Sequence, residues 1–353
     1  MAAYCAFDAL QVLAVALGVI VGLLLSTHGS ATLTERNWAW TLERLRQLFD
    51  VESLTKAATF SPADVERYYR LTTFRDYGIL AAATRCSAMH TELKPAAAQP
   101  FRIGHFKQLV YALLHLDGSI PKPAILEVGF GKGVNSVALA SLLPHASCMG
   151  IDIVEEHATF ARKLAADAGA TNVEFTCGNA ADPPPNVRSR RFDLIFGIES
   201  FCHLDTDELM DGFMAFAESA LGDNGKLVIV DGFRSGRFHD TSPDARMAMQ
   251  LAECGFKVRR MASKAMWCTL AKAHGFELVH DEDLTQQAIP FWTMGWRVAS
   301  VILHFPSTLR LFIHSNAARV ETGGNLLAVC CTAFAFHMGS AQYGVLTFRK
   351  HQM

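Results

Sequence analysis

The sequence predicts an α/β fold built on an open, seven-stranded and mostly parallel sheet with helices on both faces. Three observations predict it: a glycine-rich turn between a buried apolar run and a helical run, an acid at the tip of the next apolar run, and a repeated alternation of strand-like and helix-like segments. The turn is ILEVGFGKGV, from Ile125 to Val134. Residues 125–128 form a short apolar run of the kind buried on both faces of a parallel sheet. Gly129, Gly131 and Gly133 follow at alternate positions, and VNSVALASLL then reads as a helix. A strand-to-helix turn needs residues without Cβ where backbone approaches a ligand closely.

The next apolar run, CMGIDI, ends in Asp152-Ile153. An acid there can accept hydrogen bonds from both hydroxyls of a ribose. Further strands are expected over 172–178, ending in Asn179-Ala180, over 192–197, and over 225–233. Helices are expected over 154–168 and 205–221, the second capped by Asp205 or Thr206. Beyond these, helices over 243–254 and 264–274 precede a sixth strand over 276–284. The closing run YGVLTFRK (343–350) reads as a last strand. Ligands of such sheets bind at the carboxyl edge of the strands.

These motifs resemble those of the class I S-adenosylmethionine-dependent methyltransferases, a Rossmann-like fold. The resemblance implies that the last strand is antiparallel and inserted beside the sixth. EVGFGKG resembles the family's E-x-G-x-G-x-G loop around the methionine part of the cofactor, which implies Glu127, Gly129, Gly131 and Gly133 as cofactor-binding residues. Asp152 with Ile153 matches the ribose-binding position. Asn179 with Ala180 matches a position near the adenine, where the family often has Asp. A nicotinamide enzyme would instead have G-x-G-x-x-G/A, placing its last small residue at Val134, and fits less well.

Composition bounds the rest. The 353 residues carry a net charge of −2 and no basic run, so nucleic acid is not expected as substrate. Charged residues are 19% and apolar residues 50%, against about 25% and about 45–50% in ordinary soluble domains. That tilt favours contact with a membrane or an apolar ligand. Nine cysteines without a C-x-x-C pair fit a reducing compartment, and the fourteen histidines show no ligand spacing, so no metal is expected.

The N-terminus opens on an apolar run over 9–25, which as a helix would span about 25 Å. Arg36, Arg44 and Arg46 follow it. The expectation is an N-terminal membrane anchor (1–30) with the catalytic part facing the cytosol. A buried core helix and a cleaved leader are the alternatives. An N-terminal helical lid (31–100) follows, with an amphipathic helix over 34–49 and a helix start at Ser61-Pro62. The core spans 101–284, with a helix over 101–116 leading into the glycine loop. An apolar capping insertion fills 285–340 and the last core strand 341–353.

Two stretches resemble the sterol side-chain methyltransferases. In TTFRDYGILAAATRCSAMH the matching residues are Phe74, Asp76, Tyr77, Gly78 and His90, although the family's following Trp-Gly is Ile79-Leu80 here. FDLIFGIESFCH (192–203) resembles F-D-x-x-x-x-I-E-x-x-x-H, shared in similar form with tocopherol methyltransferases. In those families this segment carries an acid important for catalysis, which implies Glu199. The resemblances imply Glu199, His203, Tyr77, Asp76 and His90 as catalytic candidates and a sterol, terpenoid or prenyl-lipid acceptor. If the acceptor is an alkene, carboxylates stabilise the cation left by methylation and a base removes a proton. If it is a phenol, amine or acid, the same groups orient or deprotonate the nucleophile. An enzyme of a soluble metabolite, a non-catalytic binding module and a cyclase are the other readings.

Overall fold

The computed structural model describes residues 33–56, 60–74, 76, 90–93 and 106–351. The expected anchor over 1–30 and the candidate Tyr77 lie outside these residues.

The N-terminal helices are α1 (Glu35–Leu48), the single turn α2 (Val51–Leu54) and α3 (Pro62–Thr72). Thr34 and Ser61 close capping boxes with Asn37 and Asp64, the local chemistry that starts α1 and α3 at those points. Helix α4 (Lys107–Leu113) leads into β1 (Ala124–Val128), α5 (Val134–Leu142), β2 (Ser147–Asp152), α6 (Glu155–Ala168) and β3 (Val173–Cys177). Next come the turn α7 (Pro185–Arg188), β4 (Phe192–Ile198), α8 (Asp207–Ala220), which Thr206 caps, and β5 (Leu221–Arg234). The second half holds α9 (Pro243–Gly255), α10 (Lys264–Ala273), β6 (Phe276–Asp283), α11 (Thr285–Ile302), α12 (Pro306–Ile313), α13 (Ala317–His337) and β7 (Ala341–Lys350).

The seven strands form one sheet in the order β3-β2-β1-β4-β5-β7-β6. All pairs are parallel except those of β7, which runs antiparallel between β5 and β6. Alternation along the strands divides the core into two layers. Ile125, Leu194, Phe196, Val228 and Val230 face one layer, and Leu126, Ile195, Leu227 and Ile229 face the other. Strand order reverses outward from β1, so the crevice at the carboxyl ends of β1 and β4 is the switch point at which such sheets bind ligands.

The insertion is helical. Helix α13 is mostly buried and crosses α9 where Gly255 meets Gly324 and Ala328, an approach so close that a Cβ on Gly255 would lie 2.6 Å from the Gly324 carbonyl. Helix α1 packs on α11 and α13 rather than standing apart. Trp38 is buried with its ring 5.1 Å from that of Phe334, and Trp296 Nε1 donates to Thr41 Oγ1 at 3.0 Å. Among the described residues no helix is long and apolar enough to cross a membrane.

Candidate active site

Two cavities open at the carboxyl edge of the sheet and share one wall. The first is lined by Glu127, Gly129, Gly131, Asp152, Ile153, Asn179 and Ala180, which brings together the expected cofactor-binding residues except Gly133. The glycine loop is held by three backbones in the left-handed region, with φ of 70°, 54° and 74° at Gly129, Gly131 and Gly133. Gly133 has no room for a side chain, since a Cβ there would lie 2.5 Å from that of Ala161.

Asp152, at the tip of β2, does more than face the cavity. Its Oδ2 accepts from Gly131 N at 2.9 Å, and its Oδ1 accepts from Val154 N at 3.0 Å and contacts His157 Nδ1 at 3.1 Å. The carboxylate therefore ties the second strand to the glycine loop. Glu127 is buried against the first turn of α5, accepting from Asn135 Nδ2 at 3.3 Å and from the Ser136 hydroxyl. Burial pushes its pKa up to about 7. Asn179 uses its side-chain oxygen to accept from Ala181 N at 2.9 Å, closing its own turn. Lys132, between Gly131 and Gly133, is buried to 6% exposure on the same cavity, and burial lowers its pKa. A buried ammonium beside a glycine loop and an acid at the second strand fits a ligand with both a carboxylate and a ribose. S-adenosylmethionine has both.

The second cavity is mostly apolar, with Phe233, Phe256, Phe291, Trp292 and Phe336 in its wall. Tyr69, His90, Glu199 and His203 line both cavities. Glu199 follows β4 with φ +51°, a left-handed turn unusual for a residue with a side chain. Its Oε1 accepts from Thr91 N at 2.8 Å and from the Tyr343 hydroxyl at 2.7 Å, while burial raises its pKa. His203 Nε2 lies 2.8 Å from the Tyr69 hydroxyl, and its Nδ1 is enclosed, with no hydrogen-bond partner among the described residues. Burial pushes the pKa of both His203 and His90 down to about 4, so both imidazoles are neutral at physiological pH. Asp76 reaches the second cavity but is tied to α13, accepting from Asn325 Nδ2 at 2.8 Å and Thr322 Oγ1 at 3.3 Å.

The site also contains Tyr69, Thr91, Asp231 and Tyr343, none of them singled out from the sequence. Asp231 had a readable signal: an acid closing the apolar run LVIV at the end of a central strand. The others carry no local signal. Among the described residues no group of side chains could hold a metal ion.

Residues 125–225 match the sequence model of the methyltransferase domain family. No curated protein matches the sequence. Solved structures share the fold at low identity. The [4+2]-cyclase SpnF aligns with a TM-score of 0.62 at 19% identity, over 82% of this chain and 97% of that one. The geranyl diphosphate C-methyltransferase of Streptomyces coelicolor A3(2) gives 0.58 at 15%, over 83% and 100%. The mycolic acid cyclopropane synthase CmaA1 gives 0.64 at 16%, over 82% and 98%. The glycine loop, the acid after it and the sheet order together define a methyltransferase domain. The chain is an S-adenosylmethionine-dependent methyltransferase with S-adenosylmethionine as its cofactor.

Proposed function

We propose that this enzyme methylates a hydrophobic small molecule, of the sterol, terpenoid or prenyl-lipid class, while associated with a membrane. The observation that carries the reading is the aromatic-walled cavity that shares Glu199 and His203 with the cofactor cavity. An apolar wall with few convergent polar groups suits an apolar ligand whose reacting end meets those groups. The apolar run over 9–25 and the arginines after it support an anchor with the catalytic part on the cytosolic side.

S-adenosylmethionine supplies an electrophilic methyl group on a sulfonium, and the enzyme's task is to align the acceptor with it. Phe291 and Trp292 hold the acceptor's apolar body away from water. Glu199, fixed by Thr91 and Tyr343, faces the reacting end. In the tautomer whose Nε2–H donates to the Tyr69 hydroxyl oxygen, His203 has a bare Nδ1 that can take a proton from the methylated acceptor. The family resemblance makes Tyr77 and His90 further catalytic candidates, Tyr77 as an aromatic face toward a cation and His90 as a base.

Titration of S-adenosylhomocysteine into the purified protein and into Asp152→Ala tests the cofactor site; affinity is expected to fall at least tenfold, about the value of one hydrogen bond to a charged group. Labelled-methyl transfer to a fractionated lipid extract tests the acceptor. Label confined to the water-soluble fraction, unchanged by deleting residues 1–30, would overturn the lipid reading in favour of a soluble acceptor.

A further inference from the structure

Three carboxyl groups line the acceptor cavity: Asp76, Glu199 and Asp231. Among its described lining residues there is no lysine or arginine; Lys132 and Arg259 line the cofactor cavity instead. Asp76 is committed to α13, as described. Asp231, at the end of β5, is 3% exposed, and among the described residues its oxygens accept from backbone donors that include Cys202 N at 3.0 Å and Gly232 N at 2.7 Å. Among the described residues, no cation appears among the charges acting on Glu199 or Asp231, and each carboxyl is disfavoured as an anion by its burial. His90 and His203 on the same wall are neutral, as shown above, and Tyr69, Cys202 and Tyr343 add no positive charge. Buried carboxyls without a counter-charge are costly unless something positive meets them.

A second feature points to an occupant. Thr332, from α13, lines this cavity at 8% exposure, and among the described residues its hydroxyl has no hydrogen-bond partner. Buried hydroxyls are normally satisfied. The occupant therefore brings a polar atom to an otherwise apolar depth.

Resting on the reading of this cavity as the acceptor site, we propose that the Glu199–Asp231 carboxyl pair selects the acceptor by charge. The cavity takes an apolar molecule whose neutral reacting end becomes positively charged on methylation, and rejects one carrying phosphate, diphosphate or carboxylate there. For an alkene, the π pair forms the new C–CH3 bond as the S–CH3 bond breaks and the sulfonium becomes a thioether; the carbocation then loses a proton to His203 or Glu199. For a tertiary amine, the nitrogen lone pair forms the bond and the ammonium product leaves with its charge. Like-charge repulsion against the pair, with no lysine, arginine or metal cluster described there to offset it, excludes the anions.

The test is calorimetric titration of decyltrimethylammonium, decanol and decyl phosphate into the full-length protein saturated with S-adenosylhomocysteine, each below its micellar concentration. The ammonium is expected to bind at least about tenfold tighter than decanol, and the phosphate more weakly than decanol. Asp231→Asn is expected to erase most of the ammonium preference and leave decanol affinity in place. Ammonium binding near pH 7 should also release protons, read from buffers of different ionisation enthalpy, and the release should shrink in Asp231→Asn. Equal affinity for the three probes, or tightest binding of the phosphate, overturns charge selection while leaving the acceptor cavity intact. Binding of S-adenosylhomocysteine with no binding of any probe overturns the acceptor-cavity reading and this proposal with it.

Discussion

Replacing Tyr343 by Phe is expected to move the acid limb of the pH–rate profile upward without unfolding the protein. Tyr343 arrives on β7, 144 residues from Glu199 in sequence, and its hydroxyl donates to Glu199 Oε1 at 2.7 Å. The same oxygen keeps the Thr91 N–H at 2.8 Å. Phe preserves the buried ring and deletes one of these donors. A hydrogen bond to a charged group contributes about 1.5–3 kcal/mol, and about 1.4 kcal/mol corresponds to one pH unit of titration. The ionised form of Glu199 is therefore disfavoured by a further one to two pH units, roughly, on top of the rise that burial already imposes. Ionised Glu199 is present above its pKa, so raising that pKa removes activity from the acid side and leaves the alkaline plateau near wild type. The assay is labelled-methyl transfer at saturating S-adenosylmethionine across pH 5 to 9, with thermal melting as a folding control. A folded Tyr343→Phe enzyme whose acid limb stays in place refutes the assignment of Glu199 as the titrating group.

Other substitutions probe the frame around the site. Gly133→Ala forces a side chain onto a backbone at φ 74° with Ala161 2.5 Å away, so S-adenosylhomocysteine affinity should drop at least tenfold by titration calorimetry; wild-type affinity would contradict the loop's role. Burial, with the Glu199 charge adding, pushes Asp231 up to about 7 from 3.8, so the folded state binds its proton more tightly than the unfolded chain does. That contribution to stability is complete below pH 3.8 and is lost as pH rises through about 7, so the melting temperature of Asp231→Asn should fall less than that of wild type between pH 5 and 8. Parallel melting curves would show that Asp231 does not titrate there. Gly255→Ala should lower stability by about 1–3 kcal/mol, read by denaturant unfolding, because its Cβ would press the Gly324 carbonyl at 2.6 Å and Ala328 N at 2.7 Å. An unchanged midpoint would mean that the crossing of α9 and α13 can relax.

The glycine loop, the acid of β2 and the strand succession were legible in the sequence because each rests on a local pattern; the direction of the last strand came only from the family resemblance. A two-residue or 3.6-residue period, a cap such as Thr206 or Ser61, and three alternating glycines are all written within a dozen residues. The placing of Asp152, Asn179 and Glu199 at one edge followed, since parallel strands joined by helices present the same end to the same side. What fastens those residues was not legible. Asp152 is held by the loop it serves and by His157, whose other nitrogen reaches Thr73 at the end of α3, and His203 is held by Tyr69 from α3.

The acceptor cavity lay further from view. The apolar composition of the insertion announced burial against something greasy, but not that α13 would deliver Thr332 and Asn325 beside side chains from β4 and β5. Tyr343 meets Glu199 because the register of β5 and β7 pairs Gly232 with Tyr343 and Asp231 with Gly344. A shift of one residue would turn Tyr343 to the opposite face of the sheet. The sequence by itself determined the sheet and its ligand-binding edge, because those follow from periodicities that each segment carries alone. Only the tertiary structure decided the chemistry of the second cavity, because that depends on register and on helix crossings between segments more than a hundred residues apart, which no local pattern encodes.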